Sequence, residues 1–203
     1  MEKLIQKIIK RSDSKFINLY ELQYNLGDKE PYKYMVASRR KEQDLECNTH
    51  KIDAVRIVPY FNKDNQTYVV LIKEFRYAIN DYLYGTPAGL VDENENSKSS
   101  ATRELKEEIG ASVIKLEKMQ EASCSSAGLT DEMIECYSAE IKLDQSQSLD
   151  KHEEIGIKII KLDNLIKFVN SHKFDLQSAL LLKSFYDQTK YAQSLGFNLW
   201  KNE

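Results

Sequence analysis

Residues 85–111, GTPAGLVDENENSKSSATRELKEEIGA, decide the fold of this chain. The segment begins with a turn around Pro87, crosses an acidic loop and ends in a sequence typical of a helix. Asn96 or Ser97 can accept hydrogen bonds from the free amides at the start of that helix, so either residue is a candidate N-cap. Gly110 is the expected end, because glycine adopts the left-handed C-cap conformation without strain. A helix is therefore predicted between these positions.

Three glutamates of the predicted helix share one face. Glu104, Glu107 and Glu108 are spaced i, i+3 and i+4, and like charges at this spacing oppose one another by a few tenths of a kcal/mol. Arg103 can pair with Glu107 at i+4, which leaves Glu104 and Glu108 to be neutralised otherwise. A solvated acidic face is one interpretation. The other is a site for Mg²⁺ or Mn²⁺, hard cations that prefer carboxylate oxygens.

The spacing of the whole segment resembles the Nudix box. The pattern covers 23 residues with eight fixed positions. These are Gly89, Glu95, Arg103, Glu104, Glu107, Glu108 and Gly110, with Leu105 at the apolar position. Ala111 departs from the usual Ile, Leu or Val, but that position serves packing. The chain is thus similar to the Nudix hydrolases, which cleave a nucleoside diphosphate linked to another group. The resemblance implies an α/β/α sandwich with a mixed sheet.

The same resemblance implies roles for the box residues. Glu104 and Glu108 would be the main Mg²⁺ ligands, and the backbone carbonyl of Ala88 would be a further ligand. Glu107 would complete the cluster, oriented by Arg103. Divalent cations suit phosphoanhydride hydrolysis because they neutralise phosphate oxygens and lower the pKa of water.

Beyond the box, the chain resembles the ADP-ribose pyrophosphatase branch of the family. The segments 73–77 (KEFRY), 82–84 (YLY) and 87–89 (PAG) follow one another as they do in that branch. Arg76 would then hold a phosphate oxygen, a task that suits its fixed fork of donors, and Gly89 would lie beside the substrate. A surface arginine at the end of a strand is the alternative for Arg76. Glu95 would shape the loop rather than bind metal.

A second segment, residues 126–132 (SAGLTDE), resembles the substrate loop of that branch. Ser126 would contact substrate, and Glu132 matches a loop glutamate near the metals. Ala127 stands where proline is common. Gly85 and Thr86 stand where the branch usually has a glutamate and an apolar residue. These departures bear on the substrate and keep a GDP- or UDP-sugar pyrophosphatase open as the alternative.

The general base is expected in residues 152–155, HEEI, which resemble the acidic loop that supplies it in this branch. Glu153 is the predicted base. Glu154 is the alternative, because the alternation of Ile155 and Ile157 does not distinguish the two glutamates. A surface pair without a role is the other interpretation.

The N-terminal residues 1–50 are expected to form a small β unit, and residues 51–203 the Nudix domain. Segments 15–24 and 32–38 alternate apolar and polar side chains around a turn at 27–30, which predicts a hairpin. A hairpin is not stable alone. In the branch such a unit packs across a two-fold dimer and lends side chains to the partner's pocket. The candidates are Phe16, Tyr20, Arg39 and Arg40. A hairpin folded on its own subunit is the alternative.

The remaining elements are predicted from periodicity and turn residues. A polar linker is expected over 39–52. Strands are expected over 54–60, 66–75, 113–120, 133–141 and 155–161, and helices over about 163–170 and 175–193.

Composition limits the other classes of function. A net charge of −3 gives no reason to expect a nucleic-acid or membrane surface. Three cysteines without metal-ligand spacing make a disulfide framework or zinc site unexpected. No apolar run typical of a signal peptide or membrane span is present, so a cytoplasmic protein is expected. The resemblance to the branch implies a homodimeric enzyme. The alternative of another class is a Nudix domain that senses a nucleotide without cleaving it, although such sensors commonly have a degraded box.

Overall fold

A computed structural model describes residues 5–27, 30–45, 51–151 and 153–197 of the chain. The chain divides into two compact units. The first comprises Met1–Asp53 and Ala122–Ile134, and the second comprises Ala54–Glu121 and Glu135–Glu203. In the described residues, no helix has the length and apolar character that crossing a membrane requires.

The first unit contains a three-stranded antiparallel sheet in the order β1 (Ile5–Lys10), β2 (Asn18–Tyr24) and β3 (Tyr32–Ser38). The predicted hairpin is β2–β3, and β1 is a strand that the sequence pattern did not predict. Part of the expected turn at 27–30 lies outside the described residues. The expected linker over 39–52 contains the short helix α1 (Glu42–Leu45), and residues 46–50 also lie outside the description.

The second unit is organised on a seven-stranded sheet. Its first strands are β4 (Ala54–Lys63) and β5 (Gln66–Arg76), followed by a 3₁₀ turn (Tyr77–Ile79), β6 (Asp81–Gly85) and β7 (Ala88–Leu90). The later strands are β8 (Ala111–Cys124), β9 (Met133–Leu143) and β10 (Ile155–Lys161). The main path is β10-β5-β4-β9-β8, with β6 paired to β5 and β7 paired to β4. Strand β8 is longer at both ends than expected.

Strands β4 and β5 pair only near their hairpin and then diverge. Their register runs from Lys63↔Gln66 to Tyr60↔Val69. Beyond that point β5 pairs with β6, and the start of β4 pairs with β7. The short connection at Thr86 and Pro87 therefore lies between two diverging strands, and it leads directly into the box.

Helices cover both faces of this sheet. The helix α2 (Ser97–Ile109) packs on one face with a cluster that includes Val55 and Ile57 of β4. The helices α3 (Leu162–Ser171) and α4 (Leu176–Ser194) pack on the other face with a cluster that includes Val58 and Tyr60. Since strand side chains alternate between faces, one strand serves both layers. The expected α/β/α sandwich and the small N-terminal β unit are confirmed.

The observed ends of α3 and α4 are close to the predicted ends. Asp175 is the N-cap of α4 and accepts the amide of Ser178 through its side chain. Helix α3 begins at Leu162, one residue before the expected start, and Lys161 occupies its N-cap position without a side-chain cap hydrogen bond.

Candidate active site

The box helix α2 is fixed at both ends by the residues that the sequence suggests. The side chain of Asn96 accepts the amides of Lys98 and Ser99, and the Ser99 hydroxyl accepts the amide of Asn96, which completes a capping box. Gly110 ends the helix at a φ of 62°. A Cβ on Gly110 would lie 2.3 Å from the carbonyl oxygen of Gln145, so glycine is required there. Of the two candidate caps, Asn96 is the N-cap.

Arg103 connects four acceptors at the start of the box. Its Nη1 donates to Glu104 Oε1 at 2.7 Å and to Glu107 Oε2 at 3.0 Å. Its Nη2 donates to Glu95 Oε2 at 3.1 Å and to the carbonyl of Leu90 at 3.0 Å. Burial disfavours the charge, but these carboxylates outweigh it and raise the pKa of Arg103. The predicted Arg103–Glu107 pair is present, and the same arginine ties Glu95 of the loop to the helix.

Glu104 and Glu108 are buried, with 9% and 4% of their surface exposed. Burial raises the pKa of Glu104, although Arg103 opposes that effect. Burial and the neighbouring charges of Glu104 and Glu74 raise the pKa of Glu108 well above its ordinary value, while the amide of Ala88 acts in the opposite direction. Two buried carboxylates thus repel each other with one arginine to compensate them. Such an arrangement is stabilised by an added cation.

The turn before the box lies against these carboxylates. The amide of Ala88 donates to Glu108 Oε2 at 3.3 Å. A Cβ built on Gly89 would come within 1.8 Å of Glu104 Oε1, so only glycine allows this approach. The carboxylates of Glu104 and Glu108 therefore converge on the backbone that carries the Ala88 carbonyl.

This donor set fits a hard divalent cation. It consists of oxygen atoms only, it carries excess negative charge, and it is shielded from water. In the described parts of the chain, no group of three or more His, Cys, Asp or Glu side chains is arranged to bind a metal ion by itself. A cation here would accordingly be held by the two carboxylates, the Ala88 carbonyl and further oxygens from substrate or water.

Arg76 lies at the end of β5 and pairs with Glu74, whose Oε2 is 2.9 Å from Arg76 Nη2. Burial raises the pKa of Glu74, with Arg76 opposing. The sequence prediction gave Glu74 no role. The segment that carries Arg76 also carries Glu74, which was a signal that Glu74 belongs to the site. Only the strand geometry shows that its carboxyl group lies among the acidic groups that act on Glu108.

A cavity of about 400 Å³ adjoins Glu74 and Glu153. Its remaining lining residues are Phe75, Tyr77, Asp150, Lys151 and Glu154. Glu153 closes a turn, because its Oε2 accepts the amide of Asp150 at 2.9 Å and its amide donates to the Asp150 carbonyl at 3.0 Å. Glu154 instead bonds the Tyr82 hydroxyl, which raises the pKa of that phenol. His152 lies outside the described residues. Glu153 and the box thus share one acidic neighbourhood, since the charge of Glu153 acts on Glu104 and Glu108.

The other six predicted contact residues belong to the first unit. They are Ser126, Glu132, Arg39, Arg40, Phe16 and Tyr20. The Arg39 guanidinium is 3.7 Å from Glu132 Oε1, and the Ser126 carbonyl accepts the amides of Leu129 and Thr130. Phe16 is well exposed.

Two of these six side chains are engaged inside the first unit. Tyr20 is only 2% exposed, and its hydroxyl donates to the carbonyl of Arg40 at 3.0 Å. Arg40 donates to Asp53 at 2.8 Å and lies 3.6 Å from Asp131. Tyr20 is thus part of the core of the first unit, and the Arg40 guanidinium is paired with Asp53 and Asp131.

Fold and site together define a hydrolase of the Nudix type. The family model described as the NUDIX domain matches residues 50–182, more than half of the chain. The chain belongs to the Nudix hydrolase family, as its box indicated.

Within that family, the chain is related to ADP-ribose and ADP-sugar pyrophosphatases. It is 30% identical over 127 residues to the ADP-ribose pyrophosphatase of Bacillus subtilis (strain 168), a match that covers 61% of this chain and 67% of that protein. It is 30% identical over 108 residues to the ADP-sugar pyrophosphatase of Mus musculus, covering 51% of this chain and 47% of that protein. A crystal structure described as an ADP compounds hydrolase has the same fold, with a TM-score of 0.75, 19% identity and coverage of 94% and 96% of the two chains.

Proposed function

We propose that this protein is a Mg²⁺-dependent pyrophosphohydrolase that cleaves ADP-ribose, or a related nucleoside diphosphate sugar, to a nucleoside monophosphate and a sugar phosphate. One observation carries the proposal. Glu104 and Glu108 are buried side by side against the backbone of Ala88 and Gly89, with more negative charge than Arg103 compensates. Bound divalent cations would supply charge neutralisation at the diphosphate and activation of the attacking water; Mn²⁺ could replace Mg²⁺ in this oxygen site.

The side chains around the box would each have a distinct task. Arg103 holds Glu104 and Glu107 in fixed orientations. Arg76, which pairs with Glu74, would hold a non-bridging phosphate oxygen through its guanidinium donors. Gly89 lets the Glu104 carboxylate lie against the backbone, and it would itself lie beside the substrate.

Glu153 is our candidate for the general base. The oxygen of a water molecule would bond to one phosphorus while the bridging P–O bond breaks, and the electron pair of that bond would remain with the departing phosphate. Glu153 would accept a proton from the water. We assign this role to Oε1, since Oε2 accepts the amide of Asp150.

Replacing Glu153 with Gln should lower turnover roughly 10²–10⁴-fold, the usual contribution of a positioned base. The matched control is Glu154→Gln, because Glu154 belongs to the same loop but bonds Tyr82. Initial rates at saturating substrate and Mg²⁺ measure both variants. A normal rate for Glu153→Gln together with a slow Glu154→Gln would transfer the role to Glu154.

The reaction itself is tested by identifying products. The protein is incubated with Mg²⁺ and ADP-ribose, GDP-sugars, UDP-sugars or nucleoside triphosphates, and the products are separated by ion-exchange chromatography. AMP and ribose 5-phosphate from ADP-ribose are the expected result. Preferred cleavage of a GDP- or UDP-sugar would change the substrate, and binding without products from any compound would indicate a nucleotide sensor.

Packing accounts for one departure that pointed to another sugar nucleotide. A Cβ on Gly85 would lie 3.0 Å from Asp175 Oδ2 and 3.2 Å from Ser178 Oγ. Glycine at this position therefore has a steric reason and does not by itself favour a GDP- or UDP-sugar.

We also propose a homodimer and a cytoplasmic location, which the resemblance and the composition support. Light scattering would test the dimer.

A further inference from the structure

A buried arginine lies on the face of the sheet opposite the box helix. Arg56 is in β4 between Val55 and Ile57, which are both fully buried, and it is itself only 8% exposed. Its side chain points to the α4 layer, because it alternates with Val55 and Ile57 of the α2 layer. Burying a guanidinium costs several kcal/mol before pairing compensates it. Its contacts therefore need an explanation.

The charge of Arg56 is held by a network from three separate parts of the chain. Arg56 Nη1 donates to Ser178 Oγ and lies 3.3 Å from Asp175 Oδ2, both at the start of α4. The same nitrogen lies 3.5 Å from the hydroxyl and the carbonyl of Thr86. Ser178 Oγ donates to Asp175 Oδ2 at 2.7 Å and accepts the amide of Thr86 at 3.0 Å. Thr86 is completely buried within this network.

The network holds the backbone that enters the box. The carbonyl of Pro87 accepts the amide of Ile57 at 2.9 Å, and Ala88 pairs with Arg56 itself in the β4–β7 register. On the other side of the sheet, the amide of Ala88 donates to Glu108. The Pro87–Ala88 peptide, which directly precedes the Ala88 carbonyl, is thus held by β4 through its carbonyl oxygen and by Glu108 of the box helix through its amide. Arg56 and Ser178 hold Thr86, one residue earlier in the same turn.

The arrangement is not the most stable one for the fold alone. Arg56 Nε is buried and has no hydrogen-bond partner among the described residues, and an unsatisfied buried donor is destabilising. An apolar side chain would fill such a position without that loss. The neighbouring Val58 and Tyr60, on the same face of the same strand, are apolar or aromatic core residues.

We propose that Arg56 is a positioning residue of the metal site: through Ser178 and Thr86 it fixes the carbonyl of Ala88 at the geometry in which that oxygen binds the cation. This inference rests on the proposed function, in which the Ala88 carbonyl is a metal ligand. Arg56 acts across the sheet and touches neither metal nor substrate. Its loss should therefore weaken metal binding while the acidic cluster remains intact.

The test measures Mn²⁺ binding directly, by electron paramagnetic resonance of free Mn²⁺, in the full chain without substrate. In Arg56→Met and in Ser178→Ala, the Mn²⁺ dissociation constant should rise about tenfold or more, the usual effect of losing a residue that orients a ligand. Arg56→Lys should restore part of the affinity. The double variant should bind only slightly more weakly than either single variant, because both remove the same network.

Val58→Ala is the matched control for loss of stability. It removes buried atoms from the same strand and face, so its melting temperature should fall while its Mn²⁺ affinity stays that of the wild type. If Arg56→Met, Arg56→Lys and Ser178→Ala all behave as Val58→Ala does, Arg56 is purely structural and the inference is wrong.

Glu108→Gln separates this inference from the proposed function. Weaker Mn²⁺ binding in Glu108→Gln with unchanged binding in the Arg56 and Ser178 variants would overturn the positioning role alone. Unchanged binding in Glu108→Gln as well would overturn the metal site and the inference together.

Discussion

Glu108 and Glu135 are equally buried, with 4% of each residue exposed, yet the pKa values of their carboxyl groups move in opposite directions. Burial favours the neutral form of both. Around Glu135, however, Lys118 donates at 2.8 Å, Tyr137 donates at 2.6 Å and the Ser97 hydroxyl donates as well. These donors outweigh burial and lower the pKa of Glu135.

Glu108 has different neighbours. Glu104 and Glu74 bring further negative charge, and the amide of Ala88 donates to Glu108 at 3.3 Å. The difference teaches that burial alone does not identify a functional carboxylate. Glu135 is compensated within the chain and stabilises the fold, whereas Glu108 is under-compensated and is suited to an added cation.

Of the changes that test this contrast between Glu108 and Glu135, the largest expected effect is that of Glu108→Gln on activity. Cation stabilisation of the transition state contributes several kcal/mol, so its loss should reduce kcat/KM roughly 10²–10³-fold. Without metal, the same variant should melt at a higher temperature than the wild type, because a repelled buried charge is removed. Steady-state kinetics and metal-free calorimetry measure the two effects. A lower melting temperature would show that Glu108 is a structural residue like Glu135.

Glu135→Gln should show the reverse behaviour. It leaves the Lys118 ammonium and the Tyr137 hydroxyl without their ionised acceptor, so the free energy of unfolding should fall by about 1–3 kcal/mol while kcat stays near that of the wild type. Chemical denaturation measures the change. Glu121→Gln is the control, because Glu121 also bonds Lys118 at 2.9 Å but is 80% exposed, and exposed pairs contribute little. Equal losses in the two variants would contradict a special role for Glu135.

A smaller effect is expected from Ser97→Ala. The Ser97 hydroxyl contacts both Glu135 and Tyr137, and a typical hydrogen bond contributes about 0.5–1.5 kcal/mol to stability. The helix start should survive, since Asn96 provides the N-cap. Combining Ser97→Ala with Glu135→Gln should cost less than the sum of the two single losses. Strict additivity in denaturation would mean that the two side chains act independently.

The pH dependence of the unfolding free energy also tests the contrast between Glu135 and Glu108, and its expected signal is the smallest. Because the pKa of Glu135 is lowered in the folded chain, its stabilising effect is fully present above its ordinary pKa of 4.5 and is lost as the pH falls through the folded value. The difference in unfolding free energy between wild type and Glu135→Gln should thus be constant at neutral pH and shrink in acid. A difference that grows in acid would reverse the sign of the shift.

The box was largely predictable because its determinants are local. Its N-cap, its C-cap and the pair Arg103–Glu107 all belong to one helix. In a helix, residues three or four positions apart in the sequence are neighbours in space. The hairpin at 63–66 was also predictable. Asp64 and Asn65 have positive φ values of 50° and 57°, which these residue types tolerate well.

What sequence reasoning missed depends on distant contacts. Arg56 meets Ser178 across 122 residues of chain, and its only local signal was a charged residue inside an apolar strand. The pattern of β1 was too irregular to reveal a strand, partly because its pairing with β2 shifts register between Ile5 and Lys7. Tyr20 alternated as a strand residue should, but alternation alone did not show that its side chain lies in the core of the first unit.

The divergence of β4 and β5 affects how easily the backbone of the candidate site can open to solvent. The peptide at 86–88 is locked by β4, by α4 and by Glu108, so exposing its amides to solvent requires breaking the middle of the sandwich. The turn that carries Glu153 is closed by two hydrogen bonds within residues 150–153. The backbone beside the Ala88 carbonyl, our proposed metal ligand, is therefore expected to open only together with the domain. The turn of Glu153, our proposed base, depends on local hydrogen bonds and is expected to open more readily.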